Sequence, residues 1–188
     1  MVKLILASNS PRRKKILTDM GLNFQVIPSN YDEKLENDEF SYDKIEDIAT
    51  QKCLDVYRRV DNESLVISAD TVVVLHNKIL GKPHTKENAI KMLKELSGQT
   101  HSVVTAICAI NKKTNRAITV STTSYVKFTE WSEDMINSYV EKYLPLDKAG
   151  SYGIQELPPN YVEKFEGSFE NIVGLCPEAL KSVLEKLM

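Results

Sequence analysis

Cysteine is scarce: the chain has three in 188 residues, Cys53, Cys108 and Cys176. An odd and widely spaced set spells neither a disulfide framework nor a Cys-x-x-Cys metal site, which predicts a reduced, cytoplasmic protein. No apolar run approaches the roughly 18 residues of a membrane span, and the run from Leu4 to Ala7 is too short for a signal-peptide core, so neither export nor a membrane partner is expected. Neither sign of charge is in excess. Lys and Arg number 24 against 26 Asp and Glu, a net charge of −2, which argues against a protein whose main task is to coat nucleic acid; a small-molecule partner is expected instead. Both glycine-rich phosphate signatures, GxxxxGK[ST] and GxGxxG, are missing. His76, His84 and His101 have no metal-ligating spacing and are expected at the surface or in turns. No Ser/His/Asp or Cys/His arrangement can be read from spacing. With no internal repeat or linker, and 42% hydrophobic residues, residues 1–188 are expected to form a single domain.

Apolar patterning then gives the order of elements. Val2 to Ala7 reads as a strand. Ser10 reads as the N-cap of a helix with Pro11 at its first position and Gly21 as its stop. A helix is predicted from Tyr42 to Val60 behind a Ser41 cap, a buried strand from Ser64 to Leu75, and a helix from Thr85 to Leu96 closed by Gly98. Val103 to Ile110 and Ile118 to Phe128 read as a hairpin around the polar turn Asn111 to Asn115. A helix follows Ser132, a short strand lies near Tyr161 to Phe165, and Pro177 opens a last helix to Leu187. Strands alternating with helices, interrupted by a hairpin, predict an α/β protein with a mixed β-sheet flanked by helices.

Three residues or groups break local rules. Arg12, Arg13, Lys14 and Lys15 fill the first turn after Pro11, where the helix dipole is already positive, so each costs a few tenths of a kcal/mol unless an anion sits there. Two readings stand: a solvated basic turn, or a phosphate cradle built with the Ser8-Asn9-Ser10 loop. Lys52 projects among Ile45, Ile48, Ala49 and Val56, where a lysine must snorkel or meet an anion. Asp70 interrupts the apolar run from Leu65 to Leu75, where a carboxylate serves as a metal ligand, a general base or half of a buried ion pair. Gly81-Lys82-Pro83 holds a lysine on a stiff turn soon afterwards. Asp32 to Asp47 carries eight acids against two lysines; most of it reads as a solvated face, while Asp32-Glu33 could bring a second carboxylate to a divalent cation, Mg²⁺ or Mn²⁺.

The motifs Leu6-Ala7-Ser8-Asn9-Ser10-Pro11-Arg12-Arg13, Ser68-Ala69-Asp70-Thr71-Val72-Val73, Gly81-Lys82-Pro83 and Leu96-Ser97-Gly98-Gln99-Thr100-His101 occur in this order. They are followed by Pro145-Leu146-Asp147-Lys148-Ala149-Gly150, Tyr152-Gly153-Ile154-Gln155 and Asn171-Ile172-Val173-Gly174-Leu175. Together they resemble the Maf family of nucleoside triphosphate pyrophosphatases nearly end to end. The resemblance implies a fold related to the inosine triphosphate pyrophosphatases, a cleft between two lobes, and a homodimer. It implies hydrolysis between the α and β phosphates, releasing a nucleoside monophosphate and pyrophosphate; a divalent metal cation is expected from the carboxylates themselves. It places Asp70 at the catalytic position, Arg12, Thr71 and Gln155 at positions of the dTTP- and UTP-preferring branch, and Ser8, Arg13, Glu33, Lys52 and Lys82 at further pocket positions; the residue reading above adds Glu33 and Asp70 as the expected metal-binding carboxylates. The chain departs from the family where Gln155 is followed by Glu156-Leu157-Pro158-Pro159 in place of a glycine-containing turn, and where Cys176 stands in place of proline.

The expected chemistry is attack of water on the α-phosphorus of a nucleoside triphosphate. Cations hold the phosphates, and Asp70 either accepts the proton or positions the metal. Gln155 and Thr71 are expected at the base edge. Two alternatives remain at this point: a nucleotide- or nucleic-acid-binding regulator of septum formation and cell division, and a pyrophosphatase acting on other modified nucleotides.

Overall fold

The computed structural model describes residues 2–33 and 39–188. The acidic stretch is therefore described except at 34–38, which lie outside the described residues. Seven strands form one mixed sheet in the order β2-β1-β3-β5-β6-β7, with β4 pairing the far end of β3. The strands are β1 (Lys3–Leu6), β2 (Phe24–Val26), β3 (Ser64–Leu75), β4 (Lys78–Leu80), β5 (Thr100–Asn111), β6 (Arg116–Phe128) and β7 (Val162–Glu166). The helices are α1 (Pro11–Asp19), α2 (Tyr42–Tyr57), α3 (Lys86–Leu96), α4 (Glu133–Tyr143), α5 (Phe169–Val173) and α6 (Pro177–Leu187). β1 runs parallel to β2 and β3, while β3, β5 and β6 are antiparallel neighbours.

Ser10, Ser41 and Ser132 are the caps the sequence predicts, while Thr85, expected as the first helical residue, caps a helix that starts at Lys86. Ser10, Ser41, Thr85 and Ser132 each accept the backbone N–H three residues on, satisfying a donor that has no partner inside its helix. α2 stops at Tyr57, three residues earlier than expected. There the Lys112 ammonium takes the carbonyls of Tyr57 and Val60 at 2.9 and 2.6 Å, so a lysine from the β5–β6 turn caps the helix end. β2, β4 and α5, of three to five residues, are too short to register as a period. β4 folds back through His76 and Asn77, both at positive φ, as a two-residue hairpin turn requires.

His101 corrects the expectation of a surface residue. It is 2% exposed in β5, with Nε2 2.7 Å from the Tyr152 hydroxyl and its ring edge-on to Phe128 and Tyr152. Burial pushes its pKa down to about 3, so it is a neutral core residue at physiological pH.

Side chains alternate across β3, so both faces of the sheet are apolar. α2 covers one with Ile45, Ala49, Cys53 and Val56. α1 and α6 cover the other with Leu17, Leu180, Val183 and Leu184. The long strands continue past these helices into a second core, where α3 and α4 pack around Phe128, Trp131 and Tyr152. β1 pairs β3 only from Ser64 to Ile67, and β4 pairs it only from Val73 to Leu75. The edge of β3 from Ser68 to Val72 thus has no strand beside it, and the cleft between the two lobes opens there. No helix among the described residues is long and apolar enough to cross a membrane.

Candidate active site

The cleft has a volume of about 950 Å³ and reaches from the start of α1 to the turn after α4. Ser8, Arg12, Arg13, Glu33, Lys52, Asp70, Thr71, Lys82 and Gln155 all line it; chain segments up to about 150 residues apart in sequence converge on one space. Alternation on β3 explains how adjacent residues serve different walls. Asp70 points to the α2 face and Thr71 to the α1 face, and the unpaired stretch of edge lets both reach the cleft.

At its centre is a lysine between two carboxylates. Lys52 Nζ donates to Asp70 Oδ1 at 2.6 Å and lies 2.5 Å from Glu33 Oε1. Lys52 and Asp70 are 6% and 3% exposed. Two anomalies thus account for each other: the lysine does not snorkel, and the aspartate is half of a buried pair. The pair leaves Asp70 Oδ2 buried with no hydrogen-bond partner among the described residues, which is costly for a carboxylate oxygen unless something else occupies that side. Lys82 Nζ approaches the other Glu33 oxygen at 3.7 Å. Burial alone would raise the Glu33 pKa, but Lys52, then Lys82 and Arg13, hold it below the ordinary value.

Arg13 is fixed along its whole guanidinium. Nε donates to the Gly174 carbonyl at 2.9 Å, one terminal nitrogen to Ser8 Oγ at 3.3 Å and the other to Thr71 Oγ1 at 3.0 Å. Burial pulls its pKa below the usual guanidinium value, countered by Asp70 and Glu33. Thr71 Oγ1 also lies 2.9 Å from Thr105 Oγ1 and donates toward the Gly174 carbonyl at 3.3 Å. Its hydroxyl thus touches Arg13, Thr105 and the Gly174 carbonyl; the sequence reading places it at the base edge. Arg12 is partly exposed, 3.8 Å from Asp147 Oδ2. α1 has no acid in its own first turn, so the acids its basic start meets, Asp147 at Arg12 and Asp70 and Glu33 near Arg13, come from other parts of the chain. Gln155 is exposed at the rim.

The sequence shows Lys148 only within a motif and Glu156 only as a departure from the family, and assigns neither to the cleft wall, where both lie. Both lie in the irregular chain between α4 and β7, where no period exists to be broken. Among the described residues no group of three or more His, Cys, Asp or Glu could hold a metal. The free Asp70 oxygen and the adjacent Glu33 nevertheless suit an Mg²⁺-like ion, which takes one or two protein carboxylates and completes its shell with phosphate oxygens and water.

These features define a class: a mixed α/β protein whose interlobe cleft offers a polyanion a cationic helix start, two lysines and an unpartnered carboxylate oxygen. A family model described as Maf-like protein matches residues 3–187, and the chain belongs to that family. It is 41% identical over 191 residues to the dTTP/UTP pyrophosphatase of Acetivibrio thermocellus, covering 98% of this chain and 95% of that one. It is also 41% identical over 187 residues to the dTTP/UTP pyrophosphatase of Clostridium beijerinckii, covering 99% and 100%. In fold it is similar to the Ham1 protein of Staphylococcus aureus, with a TM-score of 0.52, 16% identity and 98% of each chain covered. The HAM1 protein of Coxiella burnetii gives a TM-score of 0.52 at 14% identity, with 99% and 100% covered.

Proposed function

We propose that residues 1–188 act as one domain that hydrolyses dTTP and UTP to the monophosphate and pyrophosphate. The observation that carries the reading is Asp70 Oδ2, a buried carboxylate oxygen without a partner in a cleft lined by Arg13, Lys52 and Lys82. The names of the curated relatives support the substrate, and the phosphate-sized cluster of cations supports the class of ligand.

In this reading Arg12, Arg13 and Lys82 hold the phosphates against the start of α1, and Ser8 and Thr71 act through Arg13 by fixing its guanidinium. Lys52 orients Asp70 by holding Oδ1, which leaves Oδ2 as the carboxylate oxygen with no partner among the described residues. Asp70 accepts the proton of the attacking water as its oxygen bonds to the α-phosphorus. The bond from that phosphorus to the α–β bridging oxygen breaks, and pyrophosphate leaves with its charge held by the lysines and arginines. A divalent cation, Mg²⁺ or Mn²⁺, would be held by Asp70 and Glu33; when bound it supplies charge neutralisation and an acidified water.

Purified protein given a panel of nucleotides with Mg²⁺ or Mn²⁺ is expected to release pyrophosphate from dTTP and UTP. Diphosphate with orthophosphate as products would place the cleavage elsewhere. No turnover of any nucleotide would favour a binding module.

Base and phosphate recognition separate by variant. Gln155→Ala is expected to flatten the preference for dTTP and UTP, by the loss of a hydrogen bond worth about 1–3 kcal/mol if the base edge is left unsatisfied. Lys82→Ala is expected to lower kcat/KM for every triphosphate by a similar factor, because all carry the same phosphates. An unchanged selectivity profile in Gln155→Ala would remove Gln155 from base reading.

A further inference from the structure

A second set of charged groups lines the same cleft and has no part in the phosphate chemistry. Lys148 is 9% exposed, with Nζ 3.1 Å from Asp147 Oδ1 and 3.5 Å from Glu156 Oε1. Asp147 is mostly solvated, with 68% of its side chain exposed, and the Glu156 contact is long, so this buried ammonium keeps donors to offer. Glu156 Oε2 accepts the Tyr139 hydroxyl at 3.3 Å, and the Tyr139 oxygen accepts the Gly153 N–H at 3.0 Å. Burial first, and then the Glu156 charge, holds the Tyr139 pKa above its usual value, so the phenol stays a donor. Gly153 lies over the ion pair: a Cβ there would come 3.1 Å from Glu156 Oε2 and 3.2 Å from Lys148 Cε.

Here Asp147 and Glu156 balance the one ammonium of Lys148, and no divalent cation is assigned to them as it is to Asp70 and Glu33. This wall therefore offers a triphosphate no net positive charge and suits the uncharged end of the ligand. It presents an acceptor and a donor side by side, 3.5 Å apart. That arrangement is complementary to an imide edge, where an N–H donor adjoins a carbonyl acceptor, as at N3 and C4 of uracil and thymine. Cytosine turns a lone pair at N3 toward the carboxylate instead. We propose that Lys148 and Glu156 are specificity-determining residues, Glu156 accepting the N3–H of the pyrimidine and Lys148 donating to the neighbouring carbonyl. Tyr139 is a positioning residue that holds Glu156 and the Gly153–Gln155 turn together. The assignment rests on the pyrophosphatase reading above, and it falls on a segment where the chain departs from its family, Glu156 to Pro159.

The test compares kcat/KM for UTP and CTP in the parent, Glu156→Gln and Lys148→Met, with inorganic tripolyphosphate as a competitive inhibitor. Glutamine can offer a donor or an acceptor, so Glu156→Gln is expected to lower the UTP-over-CTP ratio about tenfold. Lys148→Met is expected to raise KM for UTP by a similar factor, while inhibition by tripolyphosphate stays at the parent level in both. A parent-like UTP-over-CTP ratio in Glu156→Gln, which is half-buried and tolerant of the change, overturns the pair; so does tripolyphosphate inhibition that weakens in step with UTP. Calorimetric binding of UMP to the parent and Glu156→Gln separates this from the reaction itself. Equal affinities overturn the base-reading pair, whereas a parent that binds UMP but turns over no triphosphate overturns the pyrophosphatase reading alone.

Discussion

Asp70→Asn is expected to lower pyrophosphate release by roughly 10²–10⁴-fold, the usual loss when a general base is removed, with the fold intact. The side chain is nearly isosteric. Its amide oxygen can take the place of Oδ1 opposite the Lys52 ammonium, 2.6 Å away in the parent, and the NH₂ then points where Oδ2 lay. That group can neither accept a proton from water nor ligate a cation. The loss should fall on kcat more than on KM, since Arg13 and Lys82 still hold phosphates. A folded Asp70→Asn enzyme within a few-fold of the parent would take Asp70 out of the mechanism.

Lys52→Met is expected to cost both activity and stability. Methionine fills much of the same volume, but Asp70 and Glu33 then face each other without the cation that lies within 2.6 Å of both. Breaking a buried pair by removing one partner costs about 3–5 kcal/mol. The effect depends on pH, and its sign follows from Glu33. Its folded pKa is depressed below the ordinary 4.5, so in the parent it contributes stability above that value and loses it as pH falls through the depressed one. In Lys52→Met the main source of that depression is gone. The stability gap between variant and parent should therefore be widest at neutral pH and narrow as the solution is acidified toward the ordinary carboxylate range. Urea unfolding of both proteins across that range measures it, and equal stability at neutral pH would show that the triad is not coupled as its distances imply.

How far the site could be read in the sequence depends on whether each residue violated a pattern. Asp70 stood out because it is the one charged residue of the buried strand β3, Lys52 because it sits on the buried stripe of α2, and Arg12 and Arg13 because a helix start disfavours cations. Each violation carried half of an explanation, and the fold supplied the other half by bringing the first two within hydrogen-bond distance. Thr71 was legible as a cleft residue but not in its contacts. Only tertiary structure sets Arg13, Thr105 and the Gly174 carbonyl around its hydroxyl. Lys148 and Glu156 were illegible as a pair because irregular chain imposes no expectation that a charge could break. His101 was misplaced for a related reason. A histidine at the start of a strand looks like a turn residue until Phe128 and Tyr152 close over it.

The segment carrying Lys148, Gly153 and Gln155 is seated against the body of the protein at several points, through Tyr152 on His101 and Phe128, through Gly153 on Tyr139, and most tightly at Gly150. Gly150 donates its N–H to the Gly81 carbonyl at 3.1 Å, and a Cβ on it would lie 2.8 Å from Val73 Cγ2. The groups assigned to bond cleavage are carried by β3, α2 and the start of α1, whereas those assigned to the base are carried by this appended stretch. Heredity can therefore treat the two separately. On the assignment proposed above, point changes at Lys148, Gln155 and Glu156 are expected to redirect which nucleotide is chosen without disturbing how it is cut, so long as position 150 remains glycine and Tyr152 stays packed in the core.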